Sequence, residues 1–319
     1  MTLDVLVLGD LNPDLVLTGD VVPRFGQAEQ LLTGADLLIG GSGAIAAHGL
    51  ARLGVAVALV AEVGEDGFGR DMLARIAGAG VDVSRVRRSA DRTTGLSVVL
   101  SDGAARSTLT YLGTIDADPP AWTRPDDIPP ARWLHVSSVY LQPRLAAELP
   151  RLLGLARAAG LRISMDTNLD PAGRFAGLAE LLPLLDLLLP NAGEALAMAA
   201  SLGALTDDLA QAALGLAAHG PVVVVKNGAD GALLARADGS VVVHGGRAIE
   251  PVDTTGAGDS FDAGYLAAVL AGHPEVTALA WADAAGRLAT RALGGTAAQP
   301  TREELLAELT DHAARSGRA

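Results

Sequence analysis

Cysteine is absent from the 319-residue chain. That excludes disulfide scaffolding, thiolate nucleophiles and cysteine-held metals, and it suits a reducing compartment. Aromatic residues are nearly as scarce, with three Trp, three Tyr and four Phe. The core must therefore be built from Leu, Val and Ala. Basic residues are outnumbered 24 to 37, giving a formal charge of −13. A surface of that sign argues against nucleic acid and against anionic membranes as partners. It also means that an anionic cosubstrate must be held by local donors and a divalent cation. No apolar run is long enough to span a bilayer: the stretch 181–189 is short and is interrupted by Pro183 and Asp186. The first residues lack the basic start and apolar core of a signal peptide, so a cytoplasmic protein is expected. Six histidines are scattered without zinc-ligand spacing. Asp166-Thr167-Asn168-Leu169-Asp170 begins like a calcium loop, but Pro171 stands where glycine is required and Gly177 where the closing Glu should be.

Half of the residues are hydrophobic, enough for one large α/β domain or one with a small appendage. The periodicity predicts strands at 3–8, 55–61, 133–136, 161–165, 185–189 and 222–226. It predicts helices at 42–53, 69–79, 144–159, 192–200, 209–219, 260–271, 276–292 and 302–314. From residue 133 onward strands and helices alternate, which implies a mostly parallel sheet covered by helices. Two β-rich runs at 95–100 and 107–112 flank Asp102-Gly103, a strong hairpin signal. A second hairpin is expected at 231–236 and 240–244, around Asp238-Gly239. The short apolar pieces in 15–39 contain no long helix. The expected division is a large α/β domain of residues 1–14, 40–94 and 113–319, with a small β-sheet from 15–39 and 95–112.

One stretch organises the chemistry: Val252-Asp253-Thr254-Thr255-Gly256-Ala257-Gly258-Asp259-Ser260-Phe261. A glycine-spaced turn entering a helix leaves backbone N–H groups pointing out of the helix end, where the dipole favours an anion. Asp259 sets a carboxylate beside that anion site. This makes chemical sense if the carboxylate is a base and the anion is a phosphoryl group in transit; an ordinary helix cap is the plainer alternative. Upstream, the first strand ends in the turn Gly9-Asp10-Leu11-Asn12-Pro13-Asp14, where a ligand of an open α/β sheet would lie. There Asn12 and Asp14 could accept the hydroxyl hydrogens of a polyol.

Four motifs in order carry a resemblance. Asp253-Thr-Thr-Gly-Ala-Gly-Asp259-Ser-Phe is similar to the C-terminal signature of the ribokinase-like (PfkB) family of sugar and nucleoside kinases. Gly40-Gly41-Ser42-Gly43-Ala44, continuing to Gly49, Leu53 and Gly54, is similar to its N-terminal signature. Gly64-Glu65-Asp66-Gly67-Phe68-Gly69 and Asn191-Ala192-Gly193-Glu194 resemble the family's intervening motifs. The resemblance covers nearly the whole chain. It implies a ribokinase-like three-layer α/β fold with a mostly parallel central sheet, and it makes the small sheet a β lid that in many members also pairs subunits into a homodimer. The activity implied is transfer of the γ-phosphate of ATP to a hydroxyl of a small sugar, with a nucleoside as the alternative acceptor. Asp259 would be the general base, and the N–H groups of Gly256, Ala257 and Gly258 the anion hole. Acceptor contacts would come from Asn12, Asp14, Gly41, Ser42, Gln142, Asp166 and Asn168. Nucleotide contacts would come from Asn191, Glu194, Lys226, Gly228 and Gly231, with Mg²⁺ near Glu194 through water. The adenine would lie near 282–296, where Ala284, Ala285, Gly294 and Gly295 cluster. Asp253 and Thr255 stand where some relatives hold a monovalent cation such as K⁺.

Departures from the family pattern bear on the acceptor. Ile45 replaces a usual Asn and cannot hydrogen-bond a hydroxyl. Ser42 stands where ribokinases often have Lys, Gln142 near a sugar-binding Glu, and Asp170 in place of an Arg. Together these favour a different or less polar acceptor than ribose. Two other classes compete. Gly41-x-Gly43-x-x-Ala46, with Glu62 near the end of the next strand, fits a dinucleotide fingerprint and hence an NAD-dependent oxidoreductase. A non-catalytic sugar sensor would keep the fold but lack the base; Asp259 is present.

Overall fold

The computed structural model describes residues 3–26, 29–102 and 106–316. The first strand, β1 (Leu3–Leu8), shows how the molecule is layered. Val5 and Val7 point into one apolar core, Leu6 and Leu8 into the other. Both faces of the strand are covered, so the sequence reads as a continuous apolar run rather than an alternation.

Next come β2 (Asn12–Gly19), β3 (Leu32–Gly40), helix α1 (Ser42–Arg52), β4 (Val57–Val60), β5 (Glu62–Gly64) and α2 (Gly67–Gly78). They are followed by β6 (Arg87–Ser89), β7 (Leu96–Ser101), β8 (Arg106–Tyr111), β9 (Ala131–Ser137), α3 (Pro143–Ala158) and β10 (Arg162–Asp166). The chain continues with α4 (Leu178–Leu181), β11 (Leu187–Leu188), α5 (Ala192–Ser201), α6 (Leu209–Ala217), β12 (Val222–Lys226), β13 (Gly231–Ala235) and β14 (Val241–Gly245). It closes with α7 (Ala257–Leu270), α8 (Glu275–Ala289) and α9 (Arg302–Ser316).

The main sheet has eight strands in the order β14-β13-β12-β11-β10-β9-β1-β4. From β12 to β4 every pairing is parallel, and β13 and β14 add an antiparallel edge. One face packs on α1, α2, α7 and α8, the other on α3, α5 and α6. This is the expected three-layer α/β fold. Among the described residues no helix is long and apolar enough to cross a membrane.

A second, four-stranded sheet runs β3-β2-β7-β8, with β2 and β7 parallel and the other pairs antiparallel. The β7–β8 hairpin lies where Asp102-Gly103 signalled it, although Gly103 is outside the described residues. The sheet starts at Asn12 rather than at residue 15, so Asn12 and Asp14 lie on one of its strands. β11 is shorter than its apolar run, and α7 begins at Ala257 rather than at Ser260. That last difference matters most, because it places Asp259 in the first helical turn.

Candidate active site

A cleft of about 950 Å³ opens where the carboxyl ends of the parallel strands meet the second sheet. Its floor is made by residues at the ends of β1, β9, β10 and β12, among them Asp10, Ser138, Asp166 and Lys226. Its roof is made by Asn12 and Asp14 on β2, Ser97 and Val99 on β7, and Arg106, Thr108 and Thr110 on β8. Ligands of open α/β sheets occupy this position.

The glycine turn closes one side. Gly256 has φ +68°, and a Cβ there would stand 2.6 Å from the Gly295 Cα and 2.9 Å from Ile45 Cγ2. Only glycine satisfies both the left-handed backbone and the close approach. The first turn of α7 leaves N–H groups without intrahelical acceptors, and Gly256, Ala257 and Gly258 all line the cleft. The Ala257 N–H leans toward Thr254 O at 3.3 Å. Asp259 also lines the cleft while only 6 % exposed. Burial, and next the Asp166 charge, push its pKa up to about 8; Lys226 and the Ser42 hydroxyl pull the other way.

Beneath the turn lies an ionic group drawn from three elements. The Lys226 ammonium is 2.6 Å from Asp166 Oδ2 and 3.1 Å from Asp262 Oδ1. It is also close to the turn, since a Cβ on Gly258 would be 3.4 Å from Nζ. Burial opposes its charge, but Asp166, Asp262 and Glu194 together raise its pKa far above the ordinary lysine range. Asp166 is also penalised by burial, yet Lys226 holds it below the ordinary carboxylate value. At Asp262 burial wins, and its pKa is raised well above that value. Lys226 thus lies in the cleft as the nucleotide-loop reading supposed, but its donors are engaged by two carboxylates. Asp262, one turn beyond Asp259 on α7, was not singled out in the sequence. Carboxylate oxygens of Asp166, Asp259 and Asp262 lie within 4.8 Å of one another, and the lysine already supplies a cation to two of these three acids.

At the far end, Asn12 Nδ2 donates to Pro13 O at 3.0 Å and to Asp14 Oδ1 at 3.3 Å. Burial, and then Asp10, raise Asp14 to about 7. Asp10, also missed in the sequence, accepts the Gly43 N–H at 2.9 Å and ties the end of β1 to the start of α1. A Cβ on Gly43 would come within 2.8 Å of the Asp10 N, so the glycine lets these two segments touch. Gly41 and Ser42 line the cleft beside them. Asn168, at φ +54°, accepts the Ser138 N–H at 3.0 Å and donates its own N–H to Asp166 Oδ1 at 3.1 Å. Gln142 is placed differently: it is fully buried and donates to Ser137 O and Ser138 O. It lines a separate cavity of about 270 Å³. Ile45 contributes an apolar wall that backs onto Gly256 and Gly295.

Asn191 and Glu194, expected from the sequence to contact a nucleotide, form a reciprocal capping box, each side chain accepting the other's N–H at 2.9 Å. Only one Glu194 oxygen is used in that pair, and the residue lines the cleft. Burial and Asp166 raise its pKa. The cap and the cleft-facing position therefore coexist, as the sequence allowed. Gly228 and Gly231 both have positive φ and both line the cleft; a Cβ on Gly231 would run into His244 O. In the 282–296 stretch the cleft is lined by Asp283, Gly286, Arg287 and Thr290, whereas Ala284 and Ala285 are buried. Thr255 lines the cleft, and Asp253 stands behind it, with Oδ1 accepting the Thr255 N–H and hydroxyl.

The dinucleotide fingerprint fails on topology. Gly41 follows β3, which runs antiparallel to β2 in the second sheet, and no parallel βαβ unit starts there. Its glycines serve the contact with Asp10 instead.

The model of the pfkB family carbohydrate kinases matches residues 2–302. The chain belongs to this family. It is 33 % identical to a fructokinase of Klebsiella pneumoniae over 284 residues, 83 % of this chain and 90 % of the relative. It is 29 % identical to a ribokinase of Haemophilus influenzae, covering 96 % and 98 % of the two chains. Among solved structures, an E. coli protein in complex with ATP and Mg²⁺ superposes with TM-score 0.85 at 23 % identity, covering 97 % of this chain and 100 % of the other. As a carbohydrate kinase, the chain is an enzyme with an alcohol acceptor. Three of the four motifs, far apart in sequence, converge on one cleft, whereas Gly64–Gly69 lies outside it, where Asp66 caps α2 and accepts the Thr94 N–H.

Proposed function

We propose that this kinase transfers the γ-phosphoryl group of ATP to a hydroxyl of a small sugar, with Asp259 as the base. The observation that carries this reading is the position of Asp259 in the first turn of α7, beside Gly256–Gly258 and facing the cleft. The acceptor oxygen attacks the γ-phosphorus as the bond to the ADP oxygen breaks. The acceptor proton passes to the Asp259 carboxylate, and the turn's N–H groups hold the charge on the moving phosphoryl. A base whose pKa lies near the working pH is well matched to this step. Asn12 and Asp14 orient the acceptor hydroxyls, with Asp10, Ser97 and Asn168 around them. Mg²⁺ would be held near Glu194 through water, with Asn191 fixing that side chain, and it would screen the nucleotide phosphates.

The sheet of β2, β3, β7 and β8 is read as a lid over the acceptor, and residues 3–11, 41–94 and 113–316 as the body. Strand alternation turns Thr108 and Thr110 into the cleft and Leu109 and Tyr111 outward. With Leu31 and Leu32 also exposed, the lid's outer side would pair two copies of a cytoplasmic homodimer. A nucleoside acceptor is favoured over a plain sugar by one feature: the apolar wall of Ile45, Val99, Ile115, Leu141 and Leu169. The test is ADP release with pentoses, hexoses, keto-deoxy acids and nucleosides. Turnover with a sugar or nucleoside supports the reading, and none with any acceptor overturns it.

A further inference from the structure

Arg106 extends from β8 into the cleft and reaches across it. Its Nη1 donates to Thr255 Oγ1 at 2.7 Å and lies 3.6 Å from Asp253 Oδ1. The second sheet therefore touches the segment that leads into the anion turn. The Asp253 carboxylate is otherwise filled from within the chain. Oδ1 accepts the Thr255 N–H at 2.9 Å and its hydroxyl at 2.8 Å, and Oδ2 accepts the Gly294 N–H at 2.8 Å. A carboxylate offers about four lone-pair sites. Three internal donors and a neighbouring guanidinium leave a poor seat for a metal ion, so these residues do not fit the monovalent cation expected at Asp253 and Thr255.

We infer that Arg106 is the built-in counter-cation of the Asp253–Thr255 segment and positions the 256–258 turn in place of a bound monovalent ion. The inference rests on the kinase reading above. A guanidinium differs from a free ion in two ways. It is charged at every working pH, and it is covalently part of the lid, so the shape of the turn follows the placement of β7 and β8. Arg106 is 47 % exposed, so solvent screens its charge and the effect is chiefly one of position. Gly294 and Gly295 extend the same contact: Asp253 fixes Gly294, and Gly295 lies against Gly256. Movement of Asp253 is thereby transmitted to the turn.

The experiment compares the full chain with Arg106→Gln and Arg106→Lys in buffers whose monovalent cation is either K⁺ or tetramethylammonium. Wild-type kcat is expected to be equal in the two salts, within about twofold. Arg106→Gln should lose kcat about ten- to a hundredfold in tetramethylammonium, because a small displacement of the turn misplaces the phosphoryl group. K⁺ should restore most of that loss, with the KM for ATP and acceptor changed less than about threefold. Arg106→Lys should retain activity and ignore K⁺. K⁺ should also raise the melting temperature of Arg106→Gln and leave that of wild type unchanged. K⁺ activation of wild type, or a loss in Arg106→Gln confined to KM and not rescued by K⁺, would overturn the inference. If wild type turns over no acceptor in either salt, the kinase reading fails instead, and the melting temperatures decide this inference by themselves.

Discussion

Asp259→Asn should abolish most turnover and at the same time make the protein more stable in alkali. The carboxyl is 6 % exposed and its pKa is raised to about 8 by burial and by the Asp166 charge. An unfolded Asp titrates near 3.9. The folded state therefore holds a proton that the unfolded chain has already released. Stability linked to this proton is complete below the unfolded value and is lost as pH rises through about 8. Between about pH 6 and about pH 9 the wild-type carboxyl ionises in place, at a cost of about 2.7 kcal/mol. An amide of the same shape never ionises. The stability advantage of Asp259→Asn should thus grow by about 2.7 kcal/mol over that range, or roughly 4 °C in melting temperature. All other titrating groups are common to both proteins and largely cancel in the difference. Loss of the base should lower kcat by about 10²–10⁴ and remove the rise of kcat/KM toward alkaline pH expected of wild type. Thermal denaturation at the two pH values, beside a pH–rate profile, measures both effects. A stability gap that does not widen with pH, or a variant within tenfold of wild-type turnover, would refute the reasoning.

Three further outcomes are expected. Lys226→Met leaves Asp166 and Asp262 facing each other unpaired, so chemical denaturation should show a loss of about 3–5 kcal/mol. In whatever protein still folds, the acid limb of the pH–rate profile should move to higher pH, because Lys226 holds the Asp259 pKa down. Gly256→Ala places a Cβ 2.6 Å from the Gly295 Cα at a positive φ. It should cost about 1–2 kcal/mol from the backbone conformation alone, and steady-state kinetics should show a fall in kcat larger than the change in KM. On the proposed reading, Asp14→Asn would weaken a charged contact to the acceptor worth about 1.5–3 kcal/mol. The acceptor KM should rise roughly ten- to a hundredfold, with the KM for ATP little altered.

The layered fold was legible because β1 and β12 are apolar on both faces and the strands alternate with stretches of helical periodicity. The turn at 256–258 was legible because glycine spacing ahead of a helix has a local physical meaning. What stayed hidden depends on distant partners. Lys226 and Asp166 are 60 residues apart in sequence, and Arg106 and Thr255 are 149 apart. Nothing local to Lys226, Asp262 or Arg106 signals that these charges meet. Asp10 was passed over because a turn cluster of Asp and Asn looks alike whether it meets solvent or, as here, the first turn of α1. Gln142 carried the opposite error: a plausible substrate contact by motif position, it is buried and engaged by backbone carbonyls.

Transfer of label from γ-labelled ATP to a saturating sugar or nucleoside acceptor, followed in a single turnover by wild type and by Asp259→Asn, tests the central claim most directly. The account predicts that both proteins bind ATP and acceptor, and that wild type moves the label to the acceptor while the variant leaves nearly all of it on ATP. Transfer by the variant at the wild-type rate would contradict it.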